Sequence, residues 1–322
     1  MTISSIKKLL SKDLKKLDLN LKNRSKTQVS MINDLSSHII TSGGKRLRPI
    51  LLFLSAYSST RNETKDLIDA AVVVEFIHAA TLLHDDVVDM SKIRHSRDTA
   101  NMIWGNEGAV LVGDFLYSRA FEIIVEINNS QVYETLAKTT NIISQGEVMQ
   151  LMNKGNLDVN ESEYMDIIYR KTAILFQASA RIGAIIAGGN DITVDALSSF
   201  GLHFGNAYQL RNDYLDYFGQ SDITGKNIVE DLLEGKATLP IIHAISQSND
   251  EDAKSIRNAF SKSDVNEDSV IKILEKYSSN LYIKQKIDEQ TNLAISALKP
   301  LSPGLYKDNL VNLANFCKNR VS

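Results

Sequence analysis

The sequence predicts an all-α protein, on three observations. Only 4 prolines (Pro49, Pro240, Pro300 and Pro303) interrupt 322 residues, so long stretches carry no helix breaker. Apolar positions recur at helical spacing, as in Leu67, Ala70, Ala71, Val74 and Ile77. Alternating apolar and polar runs bounded by turns, the mark of strands, are scarce. At typical helix lengths the chain divides into roughly a dozen helices.

The elements follow in order. Residues 1–30 read as an N-terminal helical segment. It lacks the apolar run of ~7–15 residues that a signal peptide needs. A break at Ser42-Gly43-Gly44 precedes the cations of Lys45-Arg46-Leu47-Arg48-Pro49. Residues 66–89 read as a long helix that is apolar nearly all round at Ala70-Ala-Val-Val-Val74, the pattern of a buried central helix. Further breaks are expected at Trp104-Gly105-Asn106, Gly155-Asn156, Gly188-Gly189-Asn190, Gly219–Gly225 and Leu301–Gly304. Ser246–Asp268 is polar and acidic and reads as a loop or surface excursion. No repeat and no interdomain linker is evident, so residues 1–322 are expected to form one domain.

Bulk composition sets limits on function. Hydrophobic residues are 43% and charged residues 23%, an ordinary globular balance. A net charge of −3 gives no general affinity for nucleic acid or an anionic membrane surface. The single cysteine, Cys317, excludes an internal disulfide. No apolar run of ~18 residues occurs, so no membrane span and a cytoplasmic location are expected.

Chemistry concentrates in two acidic clusters. Residues 82–89 read Leu-Leu-His-Asp-Asp-Val-Val-Asp. On a helix, Asp85 and Asp89 stack on one face with Asp86 beside them. Carboxylates this close repel unless a cation lies between them. Mg²⁺ typically takes one or two carboxylates, several waters and substrate phosphates. The second cluster, Gln209-Leu-Arg-Asn-Asp-Tyr-Leu-Asp216, places Gln209, Asp213 and Asp216 on one face with Asn212 beside them. A buried helix that bears His78, Asp85, Asp86 and Asp89 implies a deep wet cleft in a helical bundle. Cations supply the complement. Lys45 and Arg48 follow a glycine turn, Lys226 and Lys236 sit in Gly-Lys pairs, and Arg94, Arg97 and Lys171 add to them. Together they favour a diphosphate site. No nucleophile–base pair, Walker loop or dinucleotide fingerprint is present. Metal, diphosphate and an apolar cleft support loss of diphosphate as a leaving group; where the departing carbon is allylic a carbocation forms, which needs surroundings free of water.

These residues closely resemble trans-isoprenyl diphosphate synthases, and most of all the bacterial octaprenyl diphosphate synthases. The likeness runs from about residue 30 to the C-terminus. It is carried by Gly44-Lys-Arg-Leu-Arg-Pro49, Glu75-Phe-Ile-His-Ala-Ala-Thr-Leu-Leu-His-Asp-Asp-Val-Val-Asp89, Val112-Gly-Asp-Phe-Leu-Tyr117, Gly146-Glu-Val-Met-Gln150, Tyr169-Arg-Lys-Thr172, Tyr208-Gln209, Gly225-Lys226 and Asp231–Pro240. The resemblance implies the all-α isoprenoid synthase bundle around a deep central cleft, usually as a homodimer. It implies condensation of isopentenyl diphosphate with an allylic primer such as farnesyl diphosphate, giving a long all-trans polyprenyl diphosphate for a quinone side chain. It also implies Mg²⁺, about two or three ions per site. By position, Asp85, Asp86 and Asp89 match the metal-holding first motif, and Asn212, Asp213 and Asp216 match the second. Arg94, Lys171, Lys226 and Lys236 match cations around the allylic diphosphate. Lys45, Arg48 and His78 match the isopentenyl diphosphate pocket, which His95 would border. Thr172 and Gln209 match residues that stabilise the cationic intermediate.

Two positions depart from the pattern. Asn212 stands where the second motif usually opens with an aspartate, and His95 stands where an arginine usually grips isopentenyl diphosphate. Arg97 is a candidate substitute for that arginine. The residue five positions before the first aspartate, where short-chain members carry an aromatic, is Ala80, with Thr81 after it and Ile77 about a turn deeper. These residues leave room for a long product, with Met149 or Met152 as candidates for a deeper floor. Two alternatives follow from the same residues. One is a non-catalytic subunit of a heteromeric prenyltransferase, against which the intact first motif argues. The other is a class I terpene cyclase, against which Asp216 and the Lys45/Arg48 pair argue.

Overall fold

The computed structural model describes residues 3–41, 44–59, 65–94, 97–219, 229–260 and 267–319. The protein is all-α. Among the described residues the only strands are β1 (Ile93–Arg94) and β2 (Arg97–Asp98), paired antiparallel with Ile93 opposite Asp98. The chain forms two compact units, each assembled from separate stretches of sequence.

The first unit comprises residues 1–140, 175–198 and 298–313. It contains α1 (Ile3–Leu9), α2 (Ser11–Arg24), α3 (Ser30–Thr41), α4 (Leu47–Ser59), α5 (Lys65–Val88) and α6 (Ala100–Ile127). The central helix is α5, buried continuously from Leu67 to Ile77. Its length and composition would suffice to cross a membrane, but 78% of that stretch is buried inside the protein. It packs chiefly along α6. The pairing is close because Gly113 of α6 leaves a notch for His84. A Cβ there would lie 2.3 Å from the His84 ring, whose Nε2 instead meets the Val110 carbonyl at 3.2 Å. The break expected at Trp104-Gly105-Asn106 is instead a kink inside α6. Gly105 alone leaves helical geometry, at φ 80 and ψ 165, and the flanking turns continue.

The second unit comprises residues 141–174, 199–297 and 314–322. It contains α8 (Glu161–Ile168), a π-helical turn (Tyr169–Ala173), α11 (Glu230–Leu233), α12 (Leu239–Gln247), α13 (Asp250–Phe260), α14 (Glu267–Lys276) and α15 (Ser279–Ala297). Helices α7 (Ser130–Met152), α9 (Ile174–Ile186), α10 (Asp191–Phe218) and α16 (Leu305–Asn319) have residues in both units. A reciprocal capping box, Asn160 with Glu163, starts α8. The Ser246–Asp268 excursion is a correction: Asp250–Phe260 is helical. Asn249 caps its start by accepting from the Asp252 amide at 2.9 Å. Ile256 is fully buried against a core that includes Tyr217, Val229, Leu232 and Leu274.

Candidate active site

In the first unit the end of α5 sets the geometry. The Asp89 amide donates to the Asp85 carbonyl at 2.8 Å, so helical spacing carries past Val88 and both half-buried carboxylates lie on one face. Asp86 points elsewhere. Its side chain is 1% exposed and forms an ion pair with Arg94, whose Nη2 lies at 2.8 Å and Nε at 3.1 Å. Burial pushes the Asp86 carboxyl above its ordinary range, against the pull of Arg94, and the charges of Asp85 and Asp89 push the same way. Among the described residues, no three or more His, Cys, Asp or Glu side chains are arranged as a metal-holding group. The donor set nonetheless fits Mg²⁺. That ion needs only one or two protein carboxylates when phosphate and water complete its shell, and Asp85 and Asp89 supply two. The C-terminal end of α5 adds partial negative charge, which favours a cation.

Nearby cations divide by role. Arg46, at φ 54, turns into an ion pair with buried Glu75 at 2.5 Å and donates to the Ile40 carbonyl at 2.8 Å. Arg48 points differently. Its guanidinium stacks on Phe176 at 4.4 Å from the ring centroid, and Nη1 lies 2.9 Å from His78 Nε2. Arg48 and His78 are thus brought together, with Lys45 half-buried beside them in sequence. Upstream of Asp85, Ile77 and Ala80 are buried at 1% and 0% exposure, and the Thr81 hydroxyl donates back to the His78 carbonyl at 2.8 Å.

In the second unit the π turn presents Lys171 and Thr172. Its defining bond runs from the Ile174 amide to the Tyr169 carbonyl. Lys171 Nζ pairs with Glu147 at 2.7 Å. The Thr172 hydroxyl donates to Gln209 Oε1 at 3.1 Å, and Gln209 Nε2 donates to Asp213 at 2.7 Å. Asp213 also accepts from the Tyr164 hydroxyl. Burial raises the Asp213 carboxyl to about 7, with the Asp231 charge adding to the shift and the Tyr164 and Gln209 hydrogen bonds opposing it. Asn212 and Asp216 lie one turn apart on α10, Asp216 on the Gln209 and Asp213 face. Asp216 accepts from the Asp231 amide at 3.2 Å. Lys236 pairs with Glu234 at 2.7 Å. His95 and Lys226 lie outside the described residues.

The model of the polyprenyl synthetase family matches residues 29–277 of this chain. The chain belongs to that family. As a member it is a prenyltransferase of the trans-prenyl diphosphate synthase class, with the all-α isoprenoid synthase fold. An octaprenyl diphosphate synthase of Haemophilus influenzae is 39% identical, covering 99% of this chain and 98% of that protein. An all-trans-nonaprenyl-diphosphate synthase of Rhodobacter capsulatus is 37% identical, covering 97% and 96%. A crystal structure of polyprenyl synthase from Caulobacter crescentus, complexed with calcium and isoprenyl diphosphate, superposes with a TM-score of 0.95 at 35% identity, covering 100% of this chain and 98% of that one.

Within this polyprenyl synthetase, sequence reasoning missed the π turn and its supports. Nothing in Tyr169-Arg170-Lys171-Thr172 marks a wide turn, since it holds neither Gly nor Pro. The signal lies in two distant glycines. A Cβ on Gly146 would come 2.8 Å from the Lys171 amide nitrogen, and one on Gly205 would come 2.5 Å from Ala173 Cα. Helices α7 and α10 therefore approach the turn at backbone distance. Tyr164, Glu147 and Phe176 were missed because their partners are remote in sequence.

Proposed function

We propose that this prenyltransferase condenses isopentenyl diphosphate with an allylic diphosphate, farnesyl diphosphate being the expected primer. The product is a long all-trans polyprenyl diphosphate, with octaprenyl the length best supported, for a quinone side chain. The observation that carries this reading is the pairing of an aspartate turn, Asp85 and Asp89, with a guanidinium held ready by stacking, Arg48 on Phe176. Bound Mg²⁺ would neutralise diphosphate charge and make it a leaving group. Asp85 and Asp89 would hold it in the first unit, while Asn212 and Asp216 offer a weaker pair, one amide oxygen and one carboxylate, in the second.

Roles for the remaining residues follow from their chemistry. Lys45, Arg48 and His78 would bind isopentenyl diphosphate; stacking on Phe176 fixes the guanidinium plane before an anion arrives. Arg94, Lys171, Lys226 and Lys236 would hold the allylic diphosphate. Thr172 and Gln209 would turn oxygen atoms toward the developing cation. The small side chain of Ala80 would let the product pass into the protein interior, with Ile77 and Thr81 beside it. The chain would act in the cytoplasm as one catalytic domain. It would work as a homodimer through the exposed apolar stripe of α6, where Ile103, Leu111, Phe121 and Val125 are 49%, 67%, 46% and 70% exposed.

The test is incorporation of labelled isopentenyl diphosphate by the purified chain with farnesyl diphosphate and Mg²⁺, with and without chelator. Chelator-sensitive incorporation is expected. A cyclic hydrocarbon formed without isopentenyl diphosphate would instead mark a cyclase, and activity only after adding a second subunit would mark a heteromer.

A further inference from the structure

We propose that Tyr164 is a positioning residue for this reaction, and that Asp213 serves it as a hydrogen-bond anchor rather than as a metal ligand. The inference rests on the prenyl-transfer reading above. It comes from an unbroken run of hydrogen bonds inside the second unit. Tyr164, 4% exposed on α8, donates its hydroxyl to one oxygen of Asp213. Asp213, 2% exposed on α10, receives Gln209 Nε2 on its other oxygen at 2.7 Å. The amide of Gln209 is thereby oriented: its nitrogen is committed to Asp213, so its oxygen faces Thr172 and accepts that hydroxyl at 3.1 Å.

Each link fixes the next. Gln209 meets an Asp213 oxygen that accepts, so it presents its NH₂ end there and turns its oxygen to Thr172. Without Asp213, either end of that amide could face Thr172. With it, only the oxygen does, and an oxygen is the atom suited to a neighbouring carbocation. Tyr164 holds the Asp213 carboxyl in register through its other oxygen. Asp213 is 2% exposed and each of its oxygens already accepts a side-chain hydrogen bond, which leaves less room for a metal there than at half-buried Asn212.

The experiment uses the full chain in three variants. Tyr164→Phe is expected to lower kcat roughly tenfold, the equivalent of one hydrogen bond to a charged group, with KM for both diphosphates within about twofold. Asp213→Asn is expected to lower kcat as well, because it leaves one acceptor oxygen for the two donors, Tyr164 and Gln209, that the carboxylate now receives. Asp213→Asn with Gln209→Glu reverses the polarity of that bond and restores an oxygen toward Thr172, so kcat should recover at least severalfold over Asp213→Asn. Calorimetric titration with Mg²⁺ and inorganic pyrophosphate supplies a readout independent of turnover. Asp213→Asn should shift the Mg²⁺ half-saturation by no more than about twofold. A roughly tenfold weakening of Mg²⁺, or no recovery in the folded double variant, would overturn the inference, as would an active wild type matched by Tyr164→Phe. An inactive wild type would instead strike at the prenyl-transfer reading.

Discussion

Substituting Gly205 with alanine should disable the enzyme without unfolding it. A Cβ at this position of α10 would sit 2.5 Å from Ala173 Cα, 2.8 Å from Ala173 Cβ and 3.2 Å from the Ala173 carbonyl oxygen. Carbon atoms in contact rest about 3.5–4.0 Å apart, so the π turn and α10 must separate by about 1 Å. Overpacking of this kind costs about 1–3 kcal/mol, and the better helix propensity of alanine offsets up to about 1 kcal/mol. The net loss of stability should therefore be about 0–2 kcal/mol. The kinetic effect should be larger, because Ala173 closes the turn that carries Lys171 and Thr172. A displacement near 1 Å of catalytic groups is worth about 10²-fold in rate. The assay is kcat for isopentenyl diphosphate incorporation beside a urea unfolding curve. Gly304→Ala serves as control, since nothing lies within 4 Å of its added carbon. A Gly205→Ala enzyme within twofold of wild-type kcat would refute the claim that helix approach sets the turn.

Three further outcomes are expected. Arg48→Lys keeps the charge but loses the planar stack on Phe176 and the bidentate fork; KM for isopentenyl diphosphate should rise by about tenfold with a smaller change in kcat, as initial-rate kinetics will measure. Ala80→Phe adds an aromatic ring at a fully buried position of α5, and the product alcohols should shorten on chromatography; an unchanged length would exclude Ala80 from chain-length control. His243 of α12, stacked on Tyr282 at 4.1 Å, has its pKa lowered by burial, with Glu161 opposing. The unfolded chain then binds the proton more tightly, so His243 costs nothing well above about pH 6.5 and destabilises the fold as pH falls through that value toward the lowered one. His243→Asn should lose less stability than wild type between about pH 7.5 and pH 5 in urea titrations, and parallel losses would contradict this.

Much of the fold was legible because burial writes itself into sequence period. The all-round apolar run from Ala70 to Val74 announced a central helix, and α5 is that helix. Reading failed where pattern was diluted. In Asp250–Phe260 the charged residues Asp250, Glu251, Asp252, Lys254 and Arg257 outnumber the apolar ones, so the stripe of Ala253, Ile256 and Phe260 was overlooked. At Gly105 the glycine signal was real, but a single residue at positive φ only kinks α6, and the helix continues on both sides. The site was legible as a set of residue types and less so as an arrangement. Spacing placed Asp85 and Asp89 on one face, but it could not reveal that Arg94 claims Asp86 or that Glu75 claims Arg46. Those pairings depend on chain reversals that helical periodicity does not encode. The π turn is the clearest case, since its cause lies in Gly146 and Gly205, on helices far away in sequence.

The most direct measurement is mass spectrometry of the alcohols released by phosphatase after the purified chain has turned over farnesyl diphosphate and isopentenyl diphosphate with Mg²⁺. A distribution centred on the octaprenyl alcohol is expected. Products no longer than geranylgeraniol would contradict the long-chain assignment built on Ala80, and the absence of any extended alcohol would contradict prenyl elongation by this chain altogether.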